Sequence, residues 1–220
     1  MPKPTFYICL LFVALVLLTM VSIPAKASPS KYLLVKKYLE NKKAKLAIPK
    51  VDKRYSVPSL KNLNKDEQLI VNTCLSDEFK YTDLAQISYI LATASHESGS
   101  FKYTEEINGR QQAVRLGYRG GANYFGRGYL QLTHDYNYKK IGKVLNVDLL
   151  NNPQLVATDK ALASRILCLW FTTYQHPIDR HINTNKIDYW TARTLVNGDS
   201  YLVGDKIANK AMEYYNKLTI

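Results

Sequence analysis

Three glutamates stand around one turn: Glu97, Glu105 and Glu106. Glu97 ends a segment in which Leu84, Ile87, Ile90, Leu91 and Ala94 recur at helical spacing. At 100° per residue it projects about 20° from Ile90, on the edge of that apolar stripe. A carboxyl there is partly desolvated, the setting of a general acid. The plainer reading, a glutamate at a solvated helix end, is the one this helix alone favours. Ser98-Gly99-Ser100 follows, and the glycine stop lets the chain reverse and return a second carboxylate toward the first. Two carboxylates across a cleft can cleave a glycosidic bond. At roughly 6.5–9.5 Å they admit a water and invert the sugar, and at about 5 Å they retain it. One acidic pair is a weak signal in itself.

The elements that would position such a pair read as helices. Asn64-Lys65-Asp66-Glu67 fits a capping box, followed by Leu69, Ile70, Thr73 and Cys74 at helical spacing. Thr82-Asp83 opens the helix that carries Glu97. Residues 99–130 hold glycines 99, 109, 117, 120, 121, 126 and 128 with little periodicity, and read as a long functional loop. Aromatics at Phe101, Tyr103, Tyr118, Tyr124, Phe125 and Tyr129 argue against disorder there. Helices resume at Tyr136–Leu145, after Thr158-Asp159 (Leu162, Ile166, Leu169, Trp170, Thr173), after Asp188 (Tyr189, Ala192, Leu195, Val196), and along Ile207, Ala208, Ala211, Met212 and Tyr215. No repeat and no run of alternating strands is present. The expected fold is mainly α-helical, with the glycine-rich loop packed across one face.

The first 27 residues read as something other than fold. Lys3, the apolar run Phe6 to Ile23 and Pro24-Ala25-Lys26-Ala27 make a secretory signal cleaved after Ala27, with an uncleaved membrane anchor as the alternative. Either places the remainder outside the cytoplasm, secreted, periplasmic or in the cell envelope. Residues 28–60 form a separate piece: a lysine-dense helix over 31–45, able to lie on an anionic wall or membrane but more plainly a solvated helix, then a linker across Pro49 and Pro58. The catalytic domain is expected over 61–220. The net charge of +12 favours polyanionic partners, and for an exported chain nucleic acid is the weakest of them. Cys74 and Cys168 are equally consistent with one disulfide and with two buried thiols on separate helices.

Several chemistries are disfavoured. His96-Glu97 lacks a second histidine at zincin spacing, and His134, His176 and His181 form no recognisable ligand set. The glycine loop lacks the lysine and hydroxyl of a P-loop. Neither a metal nor a cofactor is expected.

Longer blocks carry more. The stretch Ser95-His96-Glu97-Ser98-Gly99-Ser100-Phe101-Lys102-Tyr103-Thr104-Glu105-Glu106-Ile107-Asn108 resembles the catalytic stretch of glycoside hydrolase family 19, the class I chitinases and related phage endolysins. Tyr124-Phe125-Gly126-Arg127-Gly128-Tyr129-Leu130-Gln131-Leu132-Thr133 resembles that family's glycine–arginine–glycine signature. Tyr136-Asn137-Tyr138, the block Val147 to Asp159, and Leu195-Val196-Asn197-Gly198 follow at the family's spacing. The similarity spans about residues 60–217.

The resemblance implies a compact, lysozyme-like helical domain and an inverting endo-glycosidase of β-1,4-linked N-acetylhexosamine polymers, chitin or peptidoglycan glycan. Glu97 matches the general acid and Glu106 the general base. Thr133 stands where many members hold the attacking water with a serine. Gln131, Asn137 and Asn197 match substrate-binding amides, Tyr124 a cleft tyrosine and His96 a cleft histidine. Two departures stand out. The last-helix arginine that pairs with the family's acid is matched by Lys210, which keeps the charge but loses the planar fork. No glutamate follows Asn197-Gly198, and Tyr201 is the nearest candidate for its position. The expectation is a monomeric hydrolase acting on a wall polysaccharide. A catalytically weak polysaccharide-binding protein on the same scaffold is the alternative.

Overall fold

A computed structural model describes residues 53–172 and 176–220. The expectations for the leader, for the basic segment 31–45 and for Thr173 fall outside these residues. What it describes is mainly helical, as the sequence implies. Helix α1 (Lys65–Leu75) begins at Asn64, whose side chain accepts the Glu67 N–H while Glu67 accepts the Asn64 N–H, a complete capping box. Glu67 also accepts a hydrogen bond from the Tyr214 hydroxyl at 2.7 Å, so the cap ties the two ends of the domain together.

Helix α2 (Leu84–Glu97) is the central element. Asp83 caps it, and Leu84, Ile87, Ile90 and Leu91 are fully buried along it. Asp83 pairs with Arg54, itself only 3% exposed. Ser59 N–H donates to the Leu218 carbonyl at 2.8 Å, and Leu84 N–H to that of Arg54 at 2.8 Å. Residues 53–60, expected as the end of a linker, are therefore part of the folded body. Apolar burial around Leu63 and a buried ion pair hold them there.

The supposed loop over 99–130 contains structure. Helix α3 (Gly109–Leu116) lies inside it, and a 3-10 turn covers Gly121–Asn123. α3 buries only Gly109 and Ala113, which leaves no apolar stripe to announce it. Helix α4 (Asp135–Leu145) and the short α5 (Leu155–Thr158) lead to α6 (Lys160–Trp170), capped by Asp159. A two-residue hairpin, β1 (Ile182–Asn183) with β2 (Lys186–Ile187), pairs antiparallel; it is too short to show alternation in sequence. The helix expected after Asp188 is one turn, α7 (Tyr189–Ala192), continued by a 3-10 turn over Arg193–Leu195. Helix α8 (Ser200–Leu218) packs its Ile207, Ala208 and Ala211 face on α2.

Cys74 on α1 and Cys168 on α6 are two buried thiols with their Sγ atoms 3.0 Å apart. Burial, with Cys74 adjacent, pushes the Cys168 thiol well above its ordinary pKa.

Candidate active site

The end of α2 is a sharp left-handed turn. Gly99, Ser100 and Phe101 have φ of +58°, +62° and +65°. Only glycine takes that region freely, so Ser100 and Phe101 each cost about 1–2 kcal/mol. Phe101 is anchored by its N–H on Ser98 Oγ (2.9 Å) and by an edge-on contact with the Tyr129 ring (5.8 Å). The turn reverses the chain, and residues 104–106 then pair with the glycine–arginine–glycine segment. Glu106 N–H donates to the Gly126 carbonyl at 2.8 Å, and Gly128 N–H to that of Thr104 at 2.7 Å.

This pairing separates the two adjacent glutamates. Glu105 accepts from Arg127 Nε at 3.0 Å, and that guanidinium lies 3.6 Å from the centroid of the Phe125 ring. Arg127 Nη1 also reaches the Asn123 carbonyl (2.8 Å) and the Tyr138 hydroxyl (3.2 Å). Burial pushes the Tyr138 phenol up to about 12, so it stays protonated there. Glu105 is thus an ion-pair residue, whereas Glu106 lines a cleft. Glu106 Oε1 accepts from the Tyr118 hydroxyl at 3.2 Å, and Oε2 from Gly126 N–H at 3.0 Å.

The cleft has a volume of ≈ 800 Å³ and is lined by Glu97 and Glu106 together. That is ample for several rings of a chain-like ligand. Thr133, Gln131, Asn137 and Asn197 line it too, as their expected roles require. Gln131 stands at φ +54° with its amide on the Gly128 carbonyl (3.1 Å), and Asn137 donates to the Thr133 carbonyl (3.0 Å). Tyr118, His134, Tyr136, Lys140, Trp170 and His176 complete much of the wall. Trp170 and His176 stack at 4.3 Å, and burial with Lys140 and Arg180 nearby lowers the His176 pKa.

Three expected site residues lie elsewhere. Tyr124 gives its hydroxyl to the Leu150 carbonyl (3.1 Å) and packs edge-on against Tyr138, which makes it a bracing residue for the loop. His96 lines a separate cavity of ≈ 370 Å³ with Ser95, Lys206 and Lys210. It directly precedes Glu97 on the helix, so a step of 100° turns it to another face. Burial holds its pKa below the ordinary histidine value; Glu97 opposes that shift, while Arg193 and Lys206 reinforce it. Lys210 lies by the same cavity and pairs with Glu213 at 2.9 Å rather than with Glu97.

The partner of Glu97 is Arg193, whose Nη1 donates to Glu97 Oε1. The same guanidinium holds Asp199 with Nε (2.7 Å) and Nη2 (3.1 Å). Arg193 is 2% exposed, and the Glu97 and Asp199 side chains are 18% and 24% exposed. Burial alone would lower the arginine's pKa, but Asp199 and Glu97 outweigh it and raise it. The cation on Glu97 is thus Arg193, in the turn before Asn197, and not Lys210 on the last helix, and Asp199 supplies the second carboxylate. Sequence offered one faint signal, an arginine at an inward register of a short apolar segment. Tyr118 was equally silent, because only folding of α3 returns it to Glu106. Among the described residues no group of three or more His, Cys, Asp or Glu could hold a metal ion.

Arg193 holds the Asp199 carboxyl below the usual carboxylate range. A depressed carboxylate stabilises the fold above its unfolded pKa, about 3.9, and loses that contribution as pH falls through the lower folded value. The melting temperature should therefore fall below about pH 4, with a shallower slope in Asp199→Asn. An acid profile unchanged by that substitution would contradict the linkage.

Comparison with known proteins gives the family. The family model described as chitinase class I matches residues 86–197. Endochitinase At2g43610 of Arabidopsis thaliana is 44% identical over 89 residues, 39% of this chain and 31% of that protein. Basic endochitinase CHB4 of Brassica napus is 39% identical over 92 residues, 39% of this chain and 34% of that protein. The aligned part thus spans about a third of these relatives' length. Chitinase C of Streptomyces griseus HUT6037 shares the fold with a TM-score of 0.52 at 23% identity, over 76% of this chain and 74% of that one. A class IV chitinase of Zea mays shares it at 0.50 and 18% identity, over 81% and 94%. With its family match running from α2 to Asn197, through both cleft glutamates, the chain belongs to the class I chitinases, glycoside hydrolase family 19.

Proposed function

We propose that the protein is an inverting endo-glycosidase that hydrolyses β-1,4-linked N-acetylhexosamine chains, with chitin as the first substrate. The observation that carries this reading is that Glu97 and Glu106, from opposite sides of a left-handed turn, line one cleft. Glu97 protonates the departing glycosidic oxygen as the bond to the anomeric carbon breaks. Glu106 takes a proton from the water that attacks the opposite face of that carbon, and Thr133 helps hold that water. Gln131, Asn137 and Asn197 offer amides to the N-acetyl and hydroxyl groups of the sugars.

A second polymer is favoured by one feature. Lys140 lines the cleft close to His176, whose pKa is lowered by burial and by both Lys140 and Arg180. Such a wall suits a glycan with acidic substituents, as in peptidoglycan. Export through the leader, and contact of residues 31–45 with an anionic wall, belong to the same reading.

The test is hydrolysis of chitin oligosaccharides and of purified peptidoglycan, with the new anomer followed by NMR and the fragments by mass. Release of the inverted anomer supports the mechanism. Binding without cleavage of either polymer would instead leave a polysaccharide-binding protein.

Gly126 gives a further check on the base. A Cβ there would lie 2.7 Å from Gln131 Oε1 and 3.3 Å from Glu106 Cβ. Gly126→Ala should displace one or both and lower kcat by up to about 10²-fold, read by steady-state kinetics beside a thermal melt.

A further inference from the structure

Glu106 both starts and receives an excursion of the chain. Its carbonyl accepts the Gly109 N–H at 2.9 Å, where α3 begins. α3 ends at Gly117 in a left-handed turn (φ +63°), and Tyr118 N–H closes that turn on the Ala113 carbonyl at 2.8 Å. The phenol then returns to Glu106 Oε1 at 3.2 Å, while Gly126 N–H holds Oε2 at 3.0 Å. Both carboxylate oxygens are thus fixed, from two separate segments.

The Tyr118 ring is braced in turn. It meets His134 edge-on at 5.2 Å, and His134 stacks on Tyr136 at 5.4 Å. His134 Nδ1 accepts the Arg119 N–H at 3.2 Å. Burial and the adjacent Glu106 carboxylate raise the phenol's pKa, so it remains a donor through the neutral range.

We propose that Tyr118 is a positioning residue for the Glu106 carboxylate, fixing its plane so that a lone pair faces the attacking water. The proposal rests on the reading of Glu106 as the base. A glutamate side chain has several soft torsions, and two hydrogen bonds from different segments remove that freedom before substrate binds. Because Tyr118 also lines the cleft, the competing role is that of a sugar contact, which would show in KM.

Tyr118→Phe keeps the ring and its contact with His134 and removes only the hydroxyl. It should lower kcat roughly 10–100-fold, the scale of a small misplacement at the reacting atoms, with KM little changed and the melting temperature preserved. The decisive step is a double-mutant cycle. In Glu106→Ala, supplied azide attacks the anomeric carbon in place of activated water while Glu97 still protonates the departing oxygen. There Tyr118→Phe should have no further effect. An unchanged kcat, a loss confined to KM, or an equal loss in the azide-assisted background would each overturn the proposal. Wild-type turnover with an inactive Glu106→Gln keeps the base reading whatever Tyr118→Phe does. A fully active Glu106→Gln removes that reading and the proposal together.

Discussion

Glu97→Gln should lower kcat on chitin oligosaccharides by about 10²–10⁴-fold, the contribution of a positioned general acid. The amide is nearly isosteric and can still face the Arg193 guanidinium with its oxygen, so the fold should persist. It has no acidic proton to give the departing oxygen. Substrate affinity should hold, because the amides at Gln131, Asn137 and Asn197 are untouched. Steady-state kinetics with a binding isotherm on the same oligosaccharide checks both halves. Near-wild-type turnover would move the acid to another residue. The second glutamate, Glu105, offers a matched control: its carboxylate is taken by Arg127, so Glu105→Gln should cost stability before it costs chemistry.

Arg193→Ala should be the most damaging single change to the fold among the residues that hold or line the cleft. The guanidinium is 2% exposed and stands between Glu97 and Asp199. Removing it leaves two carboxylates facing each other without their cation. Breaking one partner of a buried pair costs about 3–5 kcal/mol, and the lower figure applies because both carboxylates keep some solvent. At about 3 kcal/mol a domain of this size should melt roughly 10 °C lower. Turnover should fall with it, since Glu97 loses the contact that orients it. Arg193→Lys restores the charge but has one ammonium where three guanidinium nitrogens now act, so it should recover little activity. A thermal melt and kinetics on the two variants would separate charge from geometry. Equal behaviour of Lys and Arg would mean that only the charge matters.

Three helices were readable because their starts announce themselves. Asn64, Asp83 and Asp159 each accept a backbone N–H of the helix they precede, and apolar residues follow at the right period. α3 was not readable because Arg110, Gln111, Val114 and Arg115 face solvent and only Gly109 and Ala113 are buried. The glutamates were visible as residues, and the family resemblance gave them roles. Their supports were less visible. Hydrogen bonds from Tyr118 and Arg193 join positions that only the fold brings together. Lys210 was assigned by matching position along a helix, yet its carboxylate partner is the nearer Glu213.

The backbone pairing of residues 104–106 with 126–128 carries one more consequence. Neighbouring residues in this extended pairing point to opposite sides, so a slip of one residue would move both glutamates from their places. A slip that brings Glu105 to the place of Glu106 sets Thr104 opposite Arg127, and the opposite slip brings Ile107 to the cleft, so only the observed alignment supplies both carboxylates. The length of the preceding turn is thus held by two demands at once, a carboxylate toward the cleft and a carboxylate toward Arg127.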